Sequence, residues 1–310
     1  MTKCPKHILI TGTHRSGTTW VGKTVSLSSN IRYIEEPFNV SNPNKHIGVE
    51  IKKWYEHVPT SDNLLKIKKA FDQYLYGTPF SHAVNRCRSS EKKGLLLLRF
   101  LRHFRHFLKH PRILIKDPIA LLSADWLYET YKLQVVCMIR NPLAFAGSMK
   151  KAEWGFDFVN FYNQQRLLHT KLLPYKPEIV YCHRNNVDII DQASLLWNIF
   201  HHVIYEYQKK YPSWLFMRHE DLARSPVDGF EKIFNYLDAK LDHEVLEKIN
   251  QFTSNANPAE GNSTEFGPRD ARASLETWKN RLTIKEMERV TDKTKDIARK
   301  FYPDFGRNTL

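Results

Sequence analysis

Residues 7–24 read H-I-L-I-T-G-T-H-R-S-G-T-T-W-V-G-K-T, and this stretch decides the fold class. The apolar run Ile8 to Ile10 reads as a strand, Gly12 and Gly17 as a loop, and the segment beyond Gly17 as a helix. Strand, glycine loop, helix is the order of a phosphate-binding loop. Backbone N–H groups at the start of such a helix have no intrahelical partner, and the helix dipole adds partial positive charge, so an anion is favoured there. The nucleoside-triphosphatase pattern G-x-x-x-x-G-K-[ST] requires a lysine after Gly17, where this chain has Thr18. The cation is Arg15 instead, inside the loop, with the hydroxyls of Ser16, Thr18 and Thr19 around it. Such a loop suits a phosphate ester other than a magnesium-bound triphosphate.

Strand and helix signals alternate through the remaining chain with no linker. They predict an α/β fold, a P-loop-type parallel sheet flanked by helices, in a single domain over residues 1–310. Lys and Arg number 47 against 33 Asp and Glu, a formal charge of +14. Solubility alone accounts for such a balance, and so does an anionic cofactor, an anionic acceptor or a nucleic acid. Cys4, Cys87, Cys137 and Cys182 form no C-x-x-C pair, which suits a reducing compartment. No secretory h-region follows Met1, and Leu95 to Leu98 is far short of the ~20 apolar residues that span a bilayer. A soluble, cytoplasmic, bacterial protein is the expectation.

Ile31 to Phe38, I-R-Y-I-E-E-P-F, reads as a second strand ending in two carboxylates. Neighbouring strand side chains point to opposite faces, so Glu35 and Glu36 should not share one environment, and Pro37 biases Glu36 toward an extended backbone. Ile113 to Lys116 is a third strand running into K-D-P at 116–118, and a lysine at the end of a buried strand calls for an anionic partner. Gln134 to Ile139 is a fourth, followed by R-N-P at 140–142, where Asn141 at the cap and Pro142 at the first helical position start a helix running to about Lys150. Leu215 to Met217 is the last strand, leading to R-H-E-D-L at 218–222. Ala193, Trp197, Phe200, Ile204 and Tyr207 recur at helical spacing and read as core. Ser225 and Pro226 should cap the helix carrying Phe230, Ile233, Phe234 and Leu237, and Thr283 with Glu286 forms a capping box for a final helix whose Ile284, Met287, Val290, Ile297 and Phe301 face inward.

These motifs together resemble the sulfotransferases that use 3′-phosphoadenosine 5′-phosphosulfate (PAPS). T-H-R-S-G-T-T-W is similar to their 5′-phosphosulfate loop, so the resemblance implies cofactor contacts from Arg15, Ser16, Gly17, Thr18 and Thr19, with Trp20 near the adenine. The E-P pair at 36–37 resembles the element of carbohydrate and trehalose sulfotransferases whose glutamate is the general base, which implies Glu36. K-D-P resembles the tyrosylprotein sulfotransferases and implies Lys116 near the transferred group. V-V-C-M-I-R-N-P-L-A-F-A-G-S-M at 135–149 resembles the 3′-phosphate element and implies Arg140 and Ser148. R-A-S-L-E-T-W-K-N-R-L at 272–282 resembles the segment that closes over the nucleotide, with Arg272 as a further phosphate contact.

The implied reaction moves a sulfuryl group from PAPS to an acceptor hydroxyl without a metal, with Glu36, Arg15 and Lys116 at the reacting centre. A glutamate base and Arg15 tilt the acceptor toward a saccharide or glycolipid, and the resemblance displaces nucleic acid as partner. The aromatic, irregular stretch from Ala152 to Asp191 is the place for an acceptor-binding lid. Arg88 to His110 is a basic amphipathic stretch that offers a surface to an anionic acceptor or to lipid headgroups. His103 and His106 lie one helical turn apart within it, without the further ligands a metal site needs. Two rivals make different demands. A nucleotide kinase or ATPase needs magnesium and ATP, and a non-catalytic polyanion binder needs steep salt dependence with no preference among nucleotides.

Overall fold

The computed structural model describes residues 6–41, 51–77, 101, 112–260 and 267–307. Cys4, Cys87, the Arg88–His110 stretch other than Leu101, and with it His103 and His106, lie outside the described residues. The five apolar runs form β1 (Ile8–Gly12), β2 (Ile31–Glu35), β3 (Arg112–Lys116), β4 (Gln134–Ile139) and β5 (Leu215–Arg218). All pair in parallel in the order β2-β3-β1-β4-β5, so the glycine loop leaves the middle strand.

Parallel neighbours need crossovers, and helices supply them. Among the described residues the α-helices of six residues or more are α1 (Thr18–Val25), α2 (Leu64–Tyr76), α3 (Ala124–Tyr131), α4 (Pro142–Lys151), α5 (Lys176–Arg184), α6 (Ile189–Lys210), α7 (His219–Arg224), α8 (Pro226–Leu237), α9 (His243–Thr253) and α10 (Ile284–Ala298). Strand side chains alternate in direction, so one sequence run feeds two cores. Ile8, Ile10, Leu114, Val136 and Met138 pack with Val21 of α1 and Phe230 and Phe234 of α8. Leu9, Ile113, Ile115, Val135, Cys137 and Ile139 pack on the other face with Phe145 of α4 and Trp197 and Phe200 of α6. Each such burial is worth roughly 1.5–3 kcal/mol, which is why strands covered on both faces read as unbroken apolar runs. Among the described residues no helix is long and apolar enough to cross a membrane.

The helix starts follow the capping signals in part. Asn141 accepts the Leu143 N–H at 2.9 Å and opens α4, and Thr283 and Glu286 form the reciprocal box at α10. Ser225 makes no side-chain cap bond; Pro226 starts α8 without it. Ile284, expected inward, is 68 % exposed. It is the first residue of α10, and the stripe that docks on α6 and α4 runs from the half-buried Met287 through Val290, Thr294 and Ala298.

Candidate active site

Gly12, Glu35, Lys116, Ile139 and Arg218 end the five strands along one edge of the sheet, and the segments beyond them enclose a cleft of about 580 Å³. In open parallel sheets this carboxyl edge is where ligands bind. Gly12 has φ 136° and an added Cβ would lie 2.3 Å from the Met138 carbonyl oxygen, so the middle strand can turn into its loop only as glycine. Gly17 has φ 87°, and a Cβ there would lie 2.6 Å from His219 Cδ2.

Within the loop, Ser16 is spent on local geometry: its N–H and hydroxyl both reach the Thr13 carbonyl, the hydroxyl at 2.5 Å, and it does not line the cleft. Arg15, Gly17, Thr18, Thr19 and Trp20 do line it. Trp20 is half-buried, edge-on to Phe230 at 5.3 Å and to His219 at 5.9 Å. Arg15 takes a left-handed backbone (φ 64°), and its Nε donates to Ser148 Oγ at 2.8 Å while its guanidinium lies 5.6 Å from the Trp154 ring. Arg140 in turn donates from its guanidinium to the Arg15 carbonyl. Arg15, Arg140 and Ser148 therefore share one cleft rather than two separate hollows.

The elements around Glu36 depart from the sequence expectation. Glu36 is not extended; its φ is 47°, and its N–H donates to the Lys116 carbonyl at 2.8 Å. That turn brings both carboxylates to one cation, with Lys116 Nζ 2.5 Å from Glu36 Oε1 and 3.2 Å from Glu35 Oε1. The strict alternation of strand side chains fails here because Glu36 lies beyond the strand. Lys116 itself is 1 % exposed and does not line the cleft; its anionic partners within the chain are Glu36 and, at longer range, Glu35. Glu36 lines the cleft and its second oxygen accepts from Asn39 Nδ2 at 2.8 Å.

The far wall comes from the segment after α9. Arg272 is not brought to the cleft; its Nε donates to the Arg224 carbonyl at 3.0 Å. Arg269 and Arg281 line the cleft instead, together with Lys151, Trp154, Phe252 and the His14 and His219 rings. Arg281 stood in the quoted 272–282 segment, but only the docking of Trp278 on Gly147 shows which arginine faces inward. Among the described residues the acidic side chains that line the cleft are Glu36 and Glu260, and Glu260 accepts from Arg281 at 2.8 Å and from Lys151. Four guanidinium groups against two carboxylates make an anion site. Desolvation within the cleft, then Arg269 and Arg281, hold Arg15 below the usual arginine range, although its surface stays open to the cleft. Burial brings Arg140 down to about 10, with Glu220 opposing. Arg140 Nε is buried with no hydrogen-bond partner, a donor suited to an anion. His14 is pushed down to about 3 by burial and is a neutral ring beside Tyr55 and Met149. From the Ala152–Asp191 stretch, Ala152 and Trp154 reach the cleft, whereas Phe158 and Phe161 are core. Among the described residues no three His, Cys, Asp or Glu side chains are grouped to hold a metal ion.

An α/β sheet with a basic cleft on its carboxyl edge is the frame of a nucleotide-dependent transferase. The chain belongs to the sulfotransferase domain family, whose model matches residues 5–302. Members of that family move a sulfuryl group from PAPS to a hydroxyl-bearing acceptor, and this chain is a transferase of that kind. Similar solved structures include the sulfotransferase domain from the curacin biosynthetic pathway, 17 % identical, with 97 % of this chain and 99 % of that one covered and a TM-score of 0.48. The sulfotransferase domain of the Synechococcus PCC 7002 olefin synthase is 14 % identical over 96 % and 94 % of the two chains, TM-score 0.45. Mouse sulfotransferase SULT7A1, solved with PAP, is 12 % identical over 97 % and 86 %, TM-score 0.45. No curated protein matches the chain significantly.

Proposed function

We propose that this chain sulfates a hydroxyl of a carbohydrate or glycolipid, with Glu36 as general base. The observation that carries the reading is the presence of Arg15, Arg140, Ser148 and Glu36 on one cleft. The loop from Gly17 to Thr19 offers backbone N–H groups to the 5′-phosphate of PAPS, and Arg140 with Ser148 suits the 3′-phosphate. Arg269 and Arg281 add charge to that end, a part first expected of Arg272, and Trp20 with Phe252 offers faces for the adenine.

In the proposed step the acceptor hydroxyl gives its proton to the Glu36 carboxylate as its oxygen bonds to sulfur. The bond from sulfur to the bridging oxygen breaks, and 3′-phosphoadenosine 5′-phosphate (PAP) leaves with the electron pair. Arg15 meets the charge that grows on the departing phosphate, as magnesium does in kinases. Lys116 acts through Glu36, whose oxygen it holds at 2.5 Å.

A thermal-shift comparison tests the nucleotide half: PAP is expected to stabilise the protein well beyond AMP or magnesium-ATP, and an equal response to magnesium-ATP would favour a kinase. Glu36→Gln tests the base. Turnover of PAPS with saccharide acceptors should fall by roughly 10²–10⁴-fold with PAP affinity unchanged, and undiminished turnover removes Glu36 from the role.

A further inference from the structure

We propose that Asp117 and Asn39 are positioning residues that set the Glu36 carboxylate at the cleft; this rests on Glu36 being the base. A non-glycine residue at φ 47° is an unfavourable backbone state that persists only where its surroundings hold it. Four bonds do so at this turn. Glu36 N–H donates to the Lys116 carbonyl, Asn39 N–H donates to the Glu36 carbonyl at 3.0 Å, and Asn39 Nδ2 donates to Glu36 Oε2. The fourth is the shortest backbone contact of Asp117: Phe38 N–H to Oδ2 at 2.7 Å. The other oxygen, Oδ1, accepts the N–H groups of Ile119 at 2.9 Å and Ala120 at 3.1 Å.

One buried carboxylate thus ties the exit of β2 to the exit of β3. Asp117 is 0 % exposed and forms no ion pair among the described residues, so the fold keeps a costly polar group where hydrogen bonds alone justify it. An apolar residue could fill that space without the cost but could not accept the Phe38 N–H. Without that bond, Pro37 would favour the extended backbone for Glu36, which points its side chain off the Lys116–Asn39 pair.

The test measures PAP release from PAPS with water and with octyl β-D-glucoside as acceptors, in Asp117→Asn, Asn39→Ala, Glu36→Gln and the two double variants with Glu36→Gln. Misplacing a base by ~1 Å costs on the order of 10²-fold, so Asp117→Asn is expected to lose about that in turnover and Asn39→Ala about tenfold. PAP affinity by calorimetry should stay within about twofold, since neither residue lines the nucleotide end of the cleft. Each double variant should be no slower than Glu36→Gln alone, because a positioning residue has nothing left to position. Losses that multiply in the double variants overturn the proposal while leaving the base intact. A fully active Glu36→Gln overturns the base itself and the positioning role with it. Asn39 is half-buried at the surface, so its variant decides the matter even if Asp117→Asn does not fold.

Discussion

Arg140 is gripped by its backbone while its side chain keeps a buried donor free. Trp197 Nε1 donates to its carbonyl at 2.8 Å, and its N–H donates to His201 Nε2 at 3.4 Å. His201 donates from Nδ1 to the Trp197 carbonyl at 2.9 Å and stacks on the indole, so the ring must be the neutral tautomer with its proton on Nδ1. Held this way, the guanidinium is pre-aimed. Arg140→Ala should weaken PAP binding about 10–100-fold in calorimetry while leaving AMP nearly unaffected; equal losses for both would mean that Arg140 does not read the 3′-phosphate. Neutral burial also has a pH consequence. Burial holds His14 and His201 down to about 3, His57 to about 4, and His219 well below its usual value. Between those values and about 6.5 the unfolded chain binds protons that the folded one refuses, so stability is full above pH 6.5 and is lost on acidification. Each fully buried ring contributes up to about 1.4 kcal/mol per pH unit in that window. Asp117 works against this trend: burial raises its carboxyl to about 7, so the folded chain keeps a proton there that the unfolded one has lost. The histidines outnumber it, and the melting temperature should fall from pH 7 to 5, with a shallower slope in His201→Gln. An unchanged slope in that variant would mean His201 takes up its proton in the fold.

Among the elements, α4 and the 3₁₀ segment Ala273–Asn280 meet at Gly147, where an added Cβ would lie 3.1 Å from Trp278 Cβ and 3.3 Å from its Cα. A methyl there must push back main chain that carries Arg281. Gly147→Ala should therefore cost about 1–3 kcal/mol in denaturant unfolding and weaken PAP binding as well, whereas a loss of stability alone would detach Arg281 from this contact. The strands were legible because each apolar run stops at its motif, and the cap at Asn141 and the box at Thr283 and Glu286 depend on neighbours within a few residues. What escaped the sequence depends on distant ones. The proline rule for Glu36 is local, but the Asp117 bond to Phe38 comes from another strand. Lys116 was read as awaiting an outside anion, because only the β2–β3 register, Glu35 opposite Lys116, reveals that the chain supplies one. Arg272 and Arg281 look equivalent in a string, and the choice between them needs the Trp278 contact.

At the scale of the molecule, the cleft draws on segments from residue 14 to residue 281. A ligand spanning them adds its binding energy to the fold, about 2.7 kcal/mol at a concentration of 100 Kd. PAP should accordingly slow proteolysis within residues 253–260 and 267–281 as well as raise the melting temperature, and cleavage there at an unaltered rate would mean that this wall takes no part in holding it. The strand order carries a last implication. With β1 in the centre, the groups suited to gripping the nucleotide leave β1 itself and β4 and β5 on one flank, while Glu36 and its supports leave β2 and β3 on the other. On the proposed roles, changes confined to the β2–β3 flank would alter which alcohol is served while leaving recognition of the donor undisturbed.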